Sequence, residues 1–342
     1  MTRQSALSMV SRLDFIVIGA QKAGTTALWQ LLRDHPNVWI PTVKEAPFFS
    51  HTEVYRRGLA TYLERLGAPS EAEVMRGTVT PHYMHGWHDA STAEVARRIA
   101  ATVPTVRLVA ILRDPIERAQ SQHRMSVARG REDREFNDVV DALLEPRALF
   151  DGRTAPHDTN TYIVQGEYRR VLEEYLSVLP AGQLHVEYTA DLVNRPVETV
   201  QRILRFLGVE SRFVPTRPQR RVFRSGLQPR TGPTETTAVM NEIEGASPGQ
   251  RRATVRRRLD GRVGEDALNE LVDEVERYEG ALDRNERAGL RFFIEKVWNV
   301  EPSPPDPIPS STCARLVQHY APDIPVLDCL MGRRPPWAWT GS

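Results

Sequence analysis

Four short apolar runs stand out along an otherwise charged chain: Phe15–Ile18, Val38–Ile40, Val106–Leu112 and Leu184–Val186. Each is rich in β-branched residues and too short for a helix, the pattern of a strand buried on both faces. Thr78–Thr80 has the composition of a further short strand. Between these runs apolar residues recur at helical spacing, which predicts helices over 25–34, 91–101, 115–128, 166–179 and 196–207. The last has Pro196 in its first turn and Gly208 as its stop. Strands alternating with helices predict an α/β fold, a parallel β-sheet flanked by helices on both faces.

The pattern changes in the second half of the chain. Residues 215–250 turn to Pro, Gly, Thr and Arg and read as irregular loop, whereas 250–299 are charged with apolar residues at helical spacing: Leu268, Leu271, Val272, Val275 and Tyr278. Residues 12–342 are therefore read as one domain that carries a charged helical insert over 233–300. Pro302–Pro309 reads as a rigid linker. Beyond it Leu316–Tyr320 reads as a closing helix, with Leu327, Leu330, Met331 and Trp337 packing down.

The first strand carries the chemistry. It stops at Gly19, a short loop closes at Gly24, and Thr25 and Thr26 open a helix with Ala27, Leu28, Leu31 and Leu32 at helical spacing. A strand, a glycine-bounded loop and a helix start form an anion cradle, because free backbone N–H groups and the helix dipole converge on one spot. The fold is P-loop-like in this respect. An ATP-binding loop, however, places lysine directly after its second glycine; here Thr25 follows Gly24, and Lys22 stands two residues earlier, inside the loop. Ligands of open α/β sheets collect beyond the C-terminal strand ends, where Gly19, Thr80 and Arg113 would all lie.

Composition narrows the classes. Lys+Arg number 45 against 44 Asp+Glu, a formal charge of +1 that argues against a dedicated nucleic-acid binder. The arginine run at 251–258 has acidic residues nearby and no alternating aromatics for base stacking, so it reads as a solvated helix face. Lysine is rare, and two of the three, Lys22 and Lys44, sit in the chemically suggestive segments. Two cysteines, Cys313 and Cys329, make no disulfide framework; of a single bridge near the C-terminus and free thiols in a reducing compartment, the second is the favoured reading. With no signal-peptide core and no apolar run of membrane-spanning length, a soluble cytoplasmic protein is expected.

Gln21-Lys22-Ala23-Gly24-Thr25-Thr26-Ala27-Leu28 resembles the 5′-phosphosulfate loop of sulfotransferases, which use 3′-phosphoadenosine 5′-phosphosulfate (PAPS) as donor. The strand Val106–Leu112 followed by Arg113-Asp114-Pro115-Ile116-Glu117-Arg118-Ala119-Gln120-Ser121 resembles the family's 3′-phosphate segment. Lys44-Glu45-Ala46-Pro47-Phe48-Phe49 is similar to the Lys-Glu-x-x-Phe-Phe segment of the heparan-sulfate-type branch and its bacterial relatives. The three lie within residues 15–121 in the family's order.

What the resemblance implies can be weighed residue by residue. Lys22 would meet the 5′-phosphosulfate and the bridging oxygen, with Gln21, Ala23, Gly24, Thr25 and Thr26 completing the cradle. Arg113 and Ser121 would bind the 3′-phosphate; the competing reading of Arg113 is an ion pair with Asp114 or Glu117. Asp114 has a rival reading as the magnesium-holding aspartate of an NTPase. Glu45 would be the general base, with a pKa raised by an anionic donor and aromatic neighbours, and Lys44 would position donor and acceptor. The competing reading there is a loop salt bridge. His82, His85 and His123 are the alternative bases or acceptor contacts. Arg230 is a further 3′-phosphate candidate within a late basic loop that reads equally as solvated. Thr78-Val79-Thr80-Pro81-His82-Tyr83 departs from the Lys-Ser-Pro-x-Tyr form of heparan-sulfate enzymes, with Val79 where their lysine stands.

The expected activity is metal-independent, in-line sulfuryl transfer from PAPS to a hydroxyl, leaving 3′,5′-adenosine bisphosphate. A transferred sulfuryl group carries less charge than a phosphoryl group, so fixed donors suffice. A small-molecule acceptor such as a natural product is the first choice and a carbohydrate the second; neither nucleic acid nor membrane is an expected partner. The alternatives are a P-loop kinase or NTPase, and a non-catalytic nucleotide-binding protein.

Overall fold

A computed structural model of the chain describes residues 12–69, 74–86, 89–216, 218, 227–229, 233–259, 268, 269, 271, 272, 275, 287, 290, 291, 294, 300–302, 306–337 and 339. Five parallel strands form the central sheet: β1 (Phe15–Gly19), β2 (Val38–Trp39), β3 (Met75–Val79), β4 (Arg107–Leu112) and β5 (Leu184–Tyr188), in the order β2-β3-β1-β4-β5. All five residues of β1 and the last five of β4 are buried, as expected of central strands read from continuous apolar runs. The β3 strand runs 75–79 and not 78–80, because Gly77 and Thr78 are in register with Phe15 and Ile16.

From β1 the chain passes through α1 (Thr25–Arg33) towards β2 at one edge, and α2 (Thr52–Arg56) and α3 (Leu59–Arg65) lead back to β3. From β3 it crosses β1 through α4 (Thr92–Thr102) to reach β4. Next come α5 (Pro115–Ala128), α6 (Phe136–Leu143), α7 (Pro146–Thr154) and α8 (Tyr168–Leu176) before β5, then α9 (Thr189–Asn194) and α10 (Pro196–Leu207). Right-handed crossovers running in opposite directions place helices on opposite faces. Accordingly α1 packs with α10, and α4 packs with α8. The chain therefore leaves β1 and β4, which are neighbours, towards opposite faces, and a crevice opens between their C-terminal ends.

The helix ends follow their chemistry. Ser91 Oγ accepts from the backbone N–H of Glu94, Asp114 caps α5 through the N–H groups of Ile116 and Glu117, and Gly208 closes α10 at φ 77°. Helices α2, α3, α6, α7 and α9 were not anticipated: they are 5 to 9 residues long, too short for a helical period to stand out. A second core lies beneath α5, where Ile116 and Ala119 meet Val139, Val140, Tyr162, Leu316 and Tyr320.

In the late part, β6 (Leu227–Pro229) pairs antiparallel with β7 (Val300–Pro302), bringing together the two ends of the segment between them. The expectation of irregular chain up to residue 250 is corrected by α11 (Pro233–Gly245), followed by α12 (Pro248–Leu259). Pro233 starts α11, and its apolar residues Val239, Met240 and Ile243 are buried. Leu268, Leu271, Val272 and Val275 are buried as their spacing suggested; Tyr278 lies outside the described residues. The closing helices are α13 (Ser310–Tyr320) and α14 (Ile324–Met331). Leu327 and Trp337 are buried, but Leu330, expected to pack down, is exposed. Cys313 and Cys329 are free thiols. Among the described residues no helix is long and apolar enough to cross a membrane.

Gly77 tests the register. A Cβ added there would fall 2.0 Å from Cζ of the fully buried Phe15 ring on the paired strand. Gly77→Ala is expected to cost about 1–3 kcal/mol of stability through overpacking, read as a lower urea midpoint with an unchanged slope.

Candidate active site at the strand ends

The loop after β1 is shaped to expose its N–H groups. Gly24 precedes α1 at φ 94°, a left-handed conformation suited to glycine, and α1 begins with the buried Thr25 and Thr26. Ala23 N–H donates to the Ala20 carbonyl at 3.2 Å, which folds the loop into a turn. Lys22 is itself left-handed, at φ 67°. That turn sends its side chain towards α5, where Nζ lies 3.9 Å from Met125 Sδ.

The structure brings the two anion segments together. Arg113, at the end of β4, donates from Nη1 to the Lys22 carbonyl at 3.3 Å. Its Nε and Nη2 donate to Glu117 Oε2 at 3.0 and 2.9 Å, the ion pair foreseen as the competing reading. Glu117 is 61% exposed, and such an i,i+4 pair is worth only about 0.3–0.5 kcal/mol, so a phosphate can displace it. Ser121 lies one turn before Met125 on α5 and therefore on the helix face that meets Lys22. Its Oγ is buried without a hydrogen-bond partner among the described residues, and so is Oε1 of Gln21. Orphaned polar atoms of this kind fit a site that takes a polar ligand.

Several residues that hold this crevice carried no mark in the sequence. Thr189 Oγ1, just after β5, donates to the carbonyls of Ala23 at 2.7 Å and Leu112 at 3.2 Å, clasping the β1 loop to the end of β4. Tyr168 is buried and donates from its hydroxyl to the Arg113 carbonyl at 2.8 Å. Arg118 is wholly buried, and its guanidinium is solvated by Gln122 Oε1 at 2.8 Å, Gln165 Oε1 at 3.1 Å and the Tyr162 carbonyl. Asp114 is a helix cap: Oδ1 accepts from Ile116 and Glu117, and Oδ2 accepts from the Trp339 indole at 2.9 Å. Burial pushes the Asp114 pKa up.

The Lys44–Phe49 segment borders the end of β3. Glu45 N–H donates to the Val79 carbonyl at 3.1 Å, Tyr62 donates to the Ala46 carbonyl at 2.8 Å, and the Tyr83 hydroxyl accepts from Phe48 and Phe49. Glu45 is the second left-handed residue, at φ 66°. Its Oε1 is paired with the buried Lys44 ammonium, and Oε2 lies 3.5 Å from His82 Nε2. The loop salt bridge is thus present. It also corrects the expected direction of the Glu45 pKa. Burial pulls it upward, but Lys44 and His82 outweigh burial and hold the carboxyl well below its usual range.

His82 Nδ1 lies 3.4 Å from Nε2 of His85, which is buried. Burial, with His82 and Arg118 nearby, holds the His85 pKa well below normal and keeps the ring neutral. His123 is engaged elsewhere: it packs between Phe136 and Tyr162, and its Nε2 bonds the Arg134 carbonyl at 2.9 Å. The structure thus brings Lys22 and Arg113 together at the ends of β1 and β4, with Ser121 on the helix face that Lys22 meets, and Lys44, Glu45, His82 and His85 together at the end of the neighbouring β3, and leaves His123 against the second core. Arg230 lies outside the described residues.

Lys44→Met removes the main charge that holds Glu45 low. The Glu45 pKa should rise, read by carboxyl-carbon NMR titration. Because the folded-state pKa is depressed, the stabilisation from this pair is present above the ordinary carboxylate range and fades as pH falls through the depressed value. The variant should lose that acid-side dependence in urea unfolding.

The geometry meets its counterparts in other proteins. The Sulfotransferase family profile matches residues 14–213. The chain is 30% identical over 197 residues to heparan sulfate glucosamine 3-O-sulfotransferase 3A1 of Mus musculus, covering 57% of this chain and 45% of that protein. It is also 30% identical over 206 residues to bifunctional heparan sulfate N-deacetylase/N-sulfotransferase 3 of Homo sapiens, covering 57% of this chain and 22% of that one. It thus spans less than half the length of either relative. The crystal structure of a sulfotransferase from Alicyclobacillus acidocaldarius shares the fold, with a TM-score of 0.51 and 23% identity over 67% of this chain and 90% of that chain. With the matched region running from the start of β1 past α10, and so including both strand-end loops, the chain belongs to the Sulfotransferase family.

Proposed function

We propose that the chain transfers a sulfuryl group from PAPS to a hydroxyl of an acceptor and releases 3′,5′-adenosine bisphosphate. The observation that carries this reading is the convergence of Lys22 and Arg113 on neighbouring strand ends, joined by a hydrogen bond from the guanidinium to the lysine carbonyl. The orphaned Gln21 and Ser121 oxygens support it. When bound, the phosphosulfate supplies the activated sulfuryl group.

The protein's own groups divide the work. The N–H groups of Gly24, Thr25 and Thr26 and the α1 dipole hold the 5′ anion, and Lys22 faces the oxygen on which charge develops. Arg113 exchanges its exposed partner Glu117 for the 3′-phosphate, and Ser121 adds a hydroxyl donor. Lys44 keeps Glu45 ionised and occupies Oε1, so Oε2, whose nearest named partner is 3.5 Å away, takes the hydroxyl proton. A low-pKa carboxylate is a weak base, yet it suffices late in the transfer, when the acceptor hydroxyl has become strongly acidic.

Asp114 argues against the kinase reading, because its two oxygens already accept from two backbone N–H groups and an indole. A small-molecule acceptor is the first reading. Val79 is buried in β3 and offers no cation to a polyanionic glycan. A carbohydrate acceptor, the kind named by the relatives' heparan sulfate titles, is the second.

Calorimetry should register 3′,5′-adenosine bisphosphate binding without magnesium and no comparable uptake of magnesium ATP; the reverse result overturns the reading. Lys22→Ala should weaken both nucleotide binding and transfer. Glu45→Gln should keep nucleotide affinity and lower turnover by about 10²–10⁴-fold, measured with labelled PAPS and an extract of the source cells by mass spectrometry for a gain of one sulfate. Unchanged turnover in Glu45→Gln would remove the general-base assignment.

A further inference from the structure

Arg333, Trp337 and Trp339 lie far along the chain from the motifs that build the strand-end crevice, yet they reach it from beneath at three points. Arg333 donates to Asp191 Oδ2, and to Glu187 Oε2 at 3.3 Å, while its guanidinium stacks 4.6 Å from the Tyr188 ring centroid. Asp191 lies in α9, the helix whose Leu192 Cδ2 would stand 3.4 Å from a Cβ on Gly24 and whose Thr189 clasps Ala23 to Leu112. Arg333 is thus anchored to the element that supports the β1 loop. Trp337 is buried, with ring centroids 6.0 Å from Tyr168 and 6.3 Å from Tyr188. Tyr168 in turn holds the Arg113 carbonyl. Trp339 packs against Trp337 with ring centroids 5.5 Å apart and planes tilted by 33°, and donates its indole N–H to Asp114 Oδ2.

The last contact has a specific electrostatic consequence. Asp114 is adjacent to Arg113, so an anion held by Arg113 has a carboxylate for a neighbour. Two backbone N–H groups take up Oδ1, and the indole takes up Oδ2. Without the indole, a half-buried carboxylate oxygen loses its one named donor, and its negative charge lies less compensated beside the anion.

We propose that Trp339 is a positioning residue of the nucleotide site, and that the strap formed by Arg333, Trp337 and Trp339 keeps the Arg113–Asp114 turn competent for a 3′-phosphate, Trp339 engaging Asp114 through its indole N–H. This rests on the reading of Arg113 as the 3′-phosphate anchor. A residue that only stabilises the fold would affect all nucleotides alike, whereas the strap acts on the 3′ group.

The test is calorimetric titration of full-length wild type and Trp339→Phe with 3′,5′-adenosine bisphosphate and, separately, with adenosine 5′-monophosphate, which lacks the 3′ group. The variant keeps the apolar ring and loses the donor. Its affinity for the bisphosphate should fall by about tenfold, the size of a hydrogen bond to a charged group, with monophosphate affinity within twofold of wild type. Equal losses for both ligands, or no loss for either, overturn the proposal. Failure of wild type to bind the bisphosphate would instead defeat the donor assignment itself. Should Trp339→Phe not fold, hydrogen exchange on wild type decides: the peptide spanning 333–339 gains protection with the bisphosphate and not with the monophosphate, and equal protection by both counts against the strap.

Discussion

A single hydroxyl ties the donor side of this molecule together. The ends of β1, β4 and β5 each leave backbone carbonyls beyond the last sheet hydrogen bond, and buried carbonyls without donors are costly. Thr189 Oγ1 meets two of them at once, the Ala23 carbonyl in the β1 loop and the Leu112 carbonyl at the end of β4, from a position just past β5. Leu192, less than one turn further on, fills the space against Gly24. The loop is thus satisfied from below, which leaves the N–H groups of Gly24, Thr25 and Thr26 for the crevice. An anion cradle needs this asymmetry: carbonyls bound to the protein, amides left for the ligand.

The charges around the crevice follow the same division. Each named carboxylate is committed to a donor of the protein: Glu45 to Lys44, Asp114 to two amides and an indole, Glu117 to Arg113. Only the last pair is largely exposed on its acidic side, and it is the one that a phosphate can replace at little cost. Arg118 is buried deeper and is solvated by amide and carbonyl oxygens, so its positive charge is held in place without being cancelled by a carboxylate among its named hydrogen-bond partners. Its field reaches His85 and helps to keep that ring neutral.

Much of this was readable from residue order. The strands declared themselves through β-branched apolar runs, and the displaced lysine distinguished the β1 loop from an ATP loop. The long helices followed from spacing and, for α10, from Pro196 and Gly208 at its ends. What escaped was either short or distant. Helices of five to nine residues, such as α2 and α7, give too few turns for a period to emerge. Thr189, Tyr168 and Trp339 act through contacts 77, 55 and 225 residues away, and nothing local marks them. The direction of the Glu45 pKa was misjudged because the loop salt bridge with Lys44, weighed only as the competing reading, is the contact that forms. Glu45 makes it from a left-handed turn.

That turn is part of a wider correspondence. Among the described residues, the non-glycine positions with left-handed backbone are Lys22 and Glu45. They are the two side chains assigned to opposite ends of the transfer, one at the leaving oxygen and the other at the incoming hydroxyl. A left-handed residue with a Cβ costs about 1–2 kcal/mol, and the surrounding contacts must hold it. For Glu45 those contacts are the Val79 carbonyl, the Lys44 ammonium and the Tyr62 and Tyr83 hydroxyls around the segment. For Lys22 they are the Arg113 guanidinium on its carbonyl and the turn closed between Ala20 and Ala23. Glycine at either position would relieve the strain and remove the functional group. In the proposed transfer the two strained turns stand where side-chain chemistry takes precedence over backbone comfort, and their coincidence with Lys22 and Glu45 supports that proposal.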